Sequence, residues 1–211
     1  MTVLTMPVGP LGTNCYLLIT EGKRCGIIDP GAQAEKIIRQ IGDLGLEPAF
    51  ILLTHGHHDH IGAVKKLMIA FPEFTLHVGR EDLEMLDDPQ KSLALFRRPD
   101  EAEFILSGAQ PVESGDTFTL DELVITALET PGHTRGGMVY LCADALFSGD
   151  TLFREDVGRT DLYGGDFEAL KASLRVLAEI KGDYTVYPGH GESTTLEHER
   201  RTNPYMNGKA F

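Results

Sequence analysis

Residues 54–60 read Thr54-His55-Gly56-His57-His58-Asp59-His60, and this stretch holds four of the eight histidines in the chain. It follows directly on an apolar run, Ala49–Leu53, that has the composition of a buried strand. Side chains two apart on an extended segment point the same way, so His55 and His57 can reach one metal ion while Asp59 and His60 turn towards a second. Imidazole nitrogens and carboxylate oxygens suit zinc, iron or manganese. An artificial histidine tag would sit at a terminus and would not extend a strand. The cluster therefore reads as half of a two-metal site.

Two metals need more ligands, and the chain offers them at three further strand ends. His133 lies in Thr130-Pro131-Gly132-His133, Asp150 in Phe147-Ser148-Gly149-Asp150, and His190 in Tyr187-Pro188-Gly189-His190. Each follows one rule: strand, small residue, ligand. Glycine or proline beside the ligand lets the backbone turn tightly and come close to an ion. Singly, a histidine after Pro-Gly is more often a turn residue. Together with the cluster, the three complete a set of five histidines and two aspartates. A carboxylate between the two ions can give one oxygen to each.

Around these positions the hydrophobic pattern alternates strands with helices. Strands are predicted over Val3–Met6, Cys15–Thr20, Cys25–Asp29, Ala49–Leu53 and Thr75–Val78, then in a run across 117–148, and last over Thr185–Tyr187. Helices are predicted over Ala34–Leu44, Ala63–Phe71, Glu81–Leu86 and Phe167–Ile180. The 88–111 stretch is the least patterned. It reads either as a surface excursion or as a flap with Phe96 inward and Arg97 or Arg98 facing an anionic substrate. Strand-led halves with intervening helices imply an α/β fold, with sheets in the middle and helices outside.

The motifs His55-Gly56-His57-His58-Asp59-His60, Pro131-Gly132-His133, Ser148-Gly149-Asp150 and Pro188-Gly189-His190, in that order, resemble those of metallo-β-lactamase-fold hydrolases, and within them the glyoxalase II group. The likeness is strongest to its short bacterial members, which carry segments similar to Val157-Gly158-Arg159-Thr160-Asp161, Gly189–Thr194 and His198–Pro204. The resemblance implies an αββα sandwich with the metal site at one edge of the two sheets, formed by a single domain over residues 1–211. It assigns His55, His57 and His133 to one metal and Asp59, His60 and His190 to the other, with Asp150 bridging. It places Asp29 beneath the cluster as a buttress.

Two divalent ions are the cofactors implied, zinc first, with iron or manganese as alternatives. Water held between them loses its proton near neutral pH, which removes the need for a protein nucleophile, and none is legible here. The expected reaction is hydrolysis of a thioester, S-D-lactoylglutathione or a related hydroxyacyl-glutathione, by attack of a metal-bridging hydroxide. Asp59 is the candidate catalytic residue. Arg159, standing where larger relatives carry a lysine, is the candidate substrate-binding residue for the glycyl carboxylate. A mononuclear iron persulfide dioxygenase of the same fold is the alternative, since Gly158-Arg159-Thr160-Asp161 resembles its pattern too.

Composition narrows the partners. A formal charge of −13 argues against a nucleic-acid surface, which needs clustered lysine and arginine. No apolar run approaches the ~20 residues of a membrane helix. Residues 1–13 lack the basic and apolar character of a secretory signal, so a cytoplasmic location and a small-molecule substrate are expected. Cys15, Cys25 and Cys142 are too few for a disulfide framework.

Overall fold

The computed structural model describes residues 1–96 and 105–208. Two six-stranded sheets form its centre. In the first, β1 (Thr2–Val8), β2 (Thr13–Ile19) and β3 (Arg24–Ile28) pair antiparallel, and β4 (Glu47–Leu52), β5 (Thr75–Gly79) and β6 (Gln110–Val112) continue parallel to β3. The parallel steps need crossovers, supplied by α1 (Ala34–Leu44), then the short α2 (His58–Ile61) with α3 (Val64–Ala70), then α4 (Leu83–Asp87).

The second sheet begins as a meander of β7 (Thr117–Leu120), β8 (Leu123–Glu129), β9 (Met138–Cys142) and β10 (Ala145–Gly149). A small hairpin follows, β11 (Leu152–Phe153) with β12 (Asp156–Val157), then α5 (Phe167–Glu179). That helix returns the chain to β13 (Thr185–Pro188), parallel to β10, and β14 (Thr194–Thr195) and α6 (Leu196–Thr202) close the sheet edge.

Period-2 alternation decides how the layers stack. On β2, Cys15 and Leu17 face α1 and α3, packing with Ile37, Ile41, Val64 and Leu67. Tyr16 and Leu18 face the other way, into a core shared with Ile125, Tyr140 and Phe147 of the second sheet. On β10, Phe147 joins that inter-sheet core while Leu146 turns outward to Leu170, Leu174 and Leu177 of α5. The order of layers is helix, sheet, sheet, helix, as expected. All three cysteines are buried, and among the described residues no helix is long and apolar enough to cross a membrane.

Element prediction departs from this at the histidine cluster and misses the short β6, β11, β12, β14 and α6. The histidine cluster is extended only as far as His57, and residues 58–61 wind into the single turn α2. The turn lets the adjacent Asp59 and His60 come round together, which strand alternation would have sent to opposite faces. β6 was not legible because its three residues lack a pattern of their own and are defined by pairing with β5. α6, polar in every residue after Leu196, shows no apolar period and was not predicted. The flap reading of 88–111 rests on the Phe96 side chain, Arg97 and Arg98, which lie outside the described residues.

Parallel strands bring their C-terminal ends to one edge. The loops after β4, β8, β10 and β13 therefore meet there, stitched by hydrogen bonds between the sheets. Asn14 donates from its backbone N–H to Gly189 O (2.8 Å) and from Nδ2 to the carbonyls of Pro188 and Gly191 (both 3.0 Å). Met138 N–H donates to Thr54 O at 2.8 Å, and the Tyr140 hydroxyl to Leu53 O at 2.9 Å.

Candidate metal centre

The seven predicted ligands converge at this edge. His55, His57 and His133 each present a donor atom within 4.8 Å of the others; so do His55, His60 and Asp150, and Asp59, His60 and His190. The rings of His55, His57 and His133 stand nearly perpendicular to one another, with centroids 4.7–4.8 Å apart. His57 Nδ1 lies 2.9 Å from His133 Nε2. Asp150 sits between the groups, with Oδ1 3.4 Å from His60 Nε2 and Oδ2 3.5 Å from His133 Nε2 and 3.7 Å from His190 Nε2. Asp59 Oδ2 accepts from the Thr13 hydroxyl at 3.0 Å and lies 3.2 Å from His190 Nε2.

Outer partners fix which nitrogen of each ring faces inward. His60 Nδ1 pairs with Asp29 Oδ2 at 2.9 Å, His133 Nδ1 with the carbonyl of Arg159 at 2.7 Å, and His190 Nδ1 with the carbonyl of Leu11 at 3.2 Å. His55 Nδ1 lies 3.1 Å from the Thr54 hydroxyl, which itself donates to Asp29 Oδ2 at 2.6 Å. A carbonyl can only accept, so His133 and His190 each carry a proton on Nδ1, which turns Nε2 to the centre. Asp29 also takes the backbone N–H of Thr54 at 2.7 Å, tying the ligand loop to the end of β3.

The donor set fits divalent metals. His55 Nε2, His57 Nε2, His60 Nε2 and Asp150 Oδ1 are buried without a hydrogen-bond partner. Leaving one such group unpaired costs about 1–3 kcal/mol, and four in one cluster are hard to explain without cations among them. Protonation follows the same geometry. Burial, reinforced by neighbouring imidazoles, holds His55 and His57 well below the usual histidine range, so they are neutral donors. Burial also opposes charge on His60, but Asp150, Asp29 and Asp59 outweigh it and raise His60 to about 10. Burial works against ionising Asp59, yet His60, His190 and His58 hold it below the usual carboxylate range.

The centre opens into a cleft of about 570 Å³ with Leu11, Leu93 and Leu162 among its walls. Arg159 lines it as well, but its guanidinium, 62% exposed, makes a bidentate pair with Asp161 at 2.7 and 2.8 Å. His58 lines the cleft without joining any donor group among the described residues. His77 and His198 lie elsewhere, held by Thr75 and Glu155.

Sequence reasoning missed three residues that build the site: Thr13, Asn14 and Asp82. The first two sit at the start of β2, and nothing local marks them. Asp82 is fully buried between two ligand loops, where burial pushes its carboxyl up against the hydrogen bonds it accepts from Thr134, Gly136 and Gly56.

Residues 8–190 match the family model of the metallo-beta-lactamase superfamily. The chain is 34% identical over its full length, and the full length of its relative, to hydroxyacylglutathione hydrolase GloC of Haemophilus influenzae. Among solved structures it is similar to the BLEG-1 B3 metallo-beta-lactamase, with a TM-score of 0.88 and 33% identity over 98% of this chain and all of that one. It is also similar to TTHA1623 in a di-iron-bound form, with a TM-score of 0.84 and 36% identity over 96% of this chain and all of that one. Fold, ligand geometry and sequence agree: the chain belongs to the metallo-beta-lactamase superfamily.

Proposed function

We propose that residues 1–211 form one domain that hydrolyses a small thioester in the cytoplasm, S-D-lactoylglutathione or a related hydroxyacyl-glutathione, using two divalent metal ions. The observation that carries this is the convergence of seven donors at the floor of an open cleft. Full-length similarity to a hydroxyacylglutathione hydrolase supports the thioester. His55, His57 and His133 would hold one ion and Asp59, His60 and His190 the other, with Asp150 shared. Zinc suits this nitrogen-rich set, and the di-iron form of a relative keeps iron open beside manganese. When bound, such ions acidify water and polarise a carbonyl.

The chain's own groups supply the rest. Asp59, held at Oδ2 by the Thr13 hydroxyl, orients the attacking water and takes its proton. The water oxygen bonds to the thioester carbon, the C–S bond breaks, and the proton passes from Asp59 to the departing thiolate. Leu11, Leu93 and Leu162 supply apolar walls against the acyl and thiol chains. Arg159 meets the glycyl carboxylate by exchanging it for Asp161, an exchange that is cheap because exposed ion pairs are worth about 0–1 kcal/mol.

A second reading, a mononuclear iron persulfide dioxygenase, is favoured by Gly158-Arg159-Thr160-Asp161. One experiment separates the two: metal content measured alongside turnover of S-D-lactoylglutathione and of glutathione persulfide. Two ions per chain with thioester cleavage support the hydrolase. One iron per chain with oxygen uptake on the persulfide overturns it.

A further inference from the structure

Asp82 has no part in the chemistry above, yet among the described residues it is the one fully buried carboxylate that touches both loops of a ligand set. It sits where β5 hands over to α4, at the residue before Leu83, where an aspartate ordinarily caps a helix. It makes no such cap. Its Oδ2 accepts instead from Gly56 N–H at 3.0 Å and from the Thr134 hydroxyl at 2.8 Å, and its Oδ1 from Gly136 N–H at 2.7 Å. Gly56 lies between His55 and His57; Thr134 directly follows His133. A single carboxylate thus ties the loop after β4 to the loop between β8 and β9.

The surrounding glycines show how closely the three segments are fitted. A Cβ at Gly136 would come within 2.4 Å of the Asp82 backbone nitrogen, and one at Gly79 within 2.0 Å of Gly136 O. A Cβ at Gly56 would meet Met85 Cβ at 2.7 Å. None of these glycines has a positive φ, so sterics rather than backbone strain require them. Asx-turn or capping roles need no such approach.

We propose that Asp82 is a positioning residue for the set His55, His57 and His133: by fixing the separation of their two loops, it sets the affinity of that metal position and leaves the other largely alone. Asp29 bonds His60 directly and reaches His55 through the Thr54 hydroxyl. The inference rests on the two-metal reading above. It goes further by assigning the position of His55, His57 and His133 a buried carboxylate from outside the ligand set.

The test is a titration of the metal-stripped full chain with Zn²⁺ against a chromophoric chelator, and with Co²⁺ followed by its visible absorption. In Asp82→Asn the amide can still accept from Gly136 but turns N–H donors towards Gly56 N–H. The expected result is one Kd raised about 10–100-fold, the range for lost outer partners of metal ligands, with the second unchanged and an altered Co²⁺ spectrum. Thr134→Val removes one bond only and should raise the same Kd by a smaller factor; it decides the matter if Asp82→Asn does not fold. Native Kd values and spectrum in a folded Asp82→Asn, or in Thr134→Val where it decides, overturn the proposal. Equal weakening of both positions also overturns it. A wild-type chain that takes up no metal sinks the two-metal reading itself, and this inference with it.

Discussion

Asp29 and His60 face each other across 2.9 Å with 1% and 0% of their side chains exposed, at the junction of β3 and the ligand loop. The same carboxylate takes the Thr54 hydroxyl and backbone N–H. Breaking a buried pair leaves the surviving group unsatisfied, at about 3–5 kcal/mol. Asp29→Ala should therefore lower stability by about that much, read by urea unfolding, and should strip metal from the His60 position in elemental analysis. Asp29→Asn, which keeps one acceptor, should fall in between.

Gly189 carries a sharper steric constraint. A Cβ there would lie 2.1 Å from Asp150 Oδ1 and 2.8 Å from His60 Cε1, while its backbone also binds Gly149 O and Asn14 N–H. Its φ is not positive, so alanine is barred by the neighbours alone. Gly189→Ala should cut kcat by about a hundredfold or more, as small displacements of reacting groups do. Far-UV circular dichroism should stay native, since the core clusters do not include this residue.

With metals removed by chelation, stability should peak near pH 6.5. His55 and His57 are held below the unfolded value of about 6.5, so below that pH the unfolded chain binds protons the fold refuses, and stability falls. His60 and His190 are raised, and their contribution is complete below about 6.5 and is lost as pH climbs towards the His60 value of about 10. A series of Tm measurements on the stripped protein should trace this dome. A Tm that rises steadily from pH 6.5 to 9 would contradict it.

Arg159 offers a test of substrate class. Arg159→Ala should raise KM for a glutathione thioester about tenfold with kcat nearly unchanged, because the contact is equal in ground and transition states. Asp161→Asn should lower that KM by freeing the guanidinium from its partner. A thioester lacking carboxylates should respond to neither change, in steady-state kinetics on the two substrates.

Much of this centre was legible from residues 54–60 and the three strand-end motifs, because a metal ligand must leave a strand where the backbone can turn. His133, Asp150 and His190 each advertise that turn with glycine. Sheets in the middle with helices outside were likewise readable from the succession of strands and helices, and the family resemblance implied the αββα order. Asp82 was not legible. It falls inside the helix predicted over Glu81–Leu86, where nothing local marks it, and its real contacts, at Gly56 and Gly136, are distant in sequence. Thr13 and Asn14 escaped for the same reason. Their partners, Asp59 and Pro188, lie beyond any window of local pattern.

The division of donors between the sheets bears on how the protein is made. The first sheet, complete at Val112, carries His55, His57, Asp59 and His60 in the loop after β4; the second contributes His133, Asp150 and His190. Each proposed metal position draws on both. A chain emerging from the ribosome can therefore show its best-known motif early and still lack a full grip on any ion. On the proposed assignment, metal capture waits for the second half to dock, which makes the centre a split chelator.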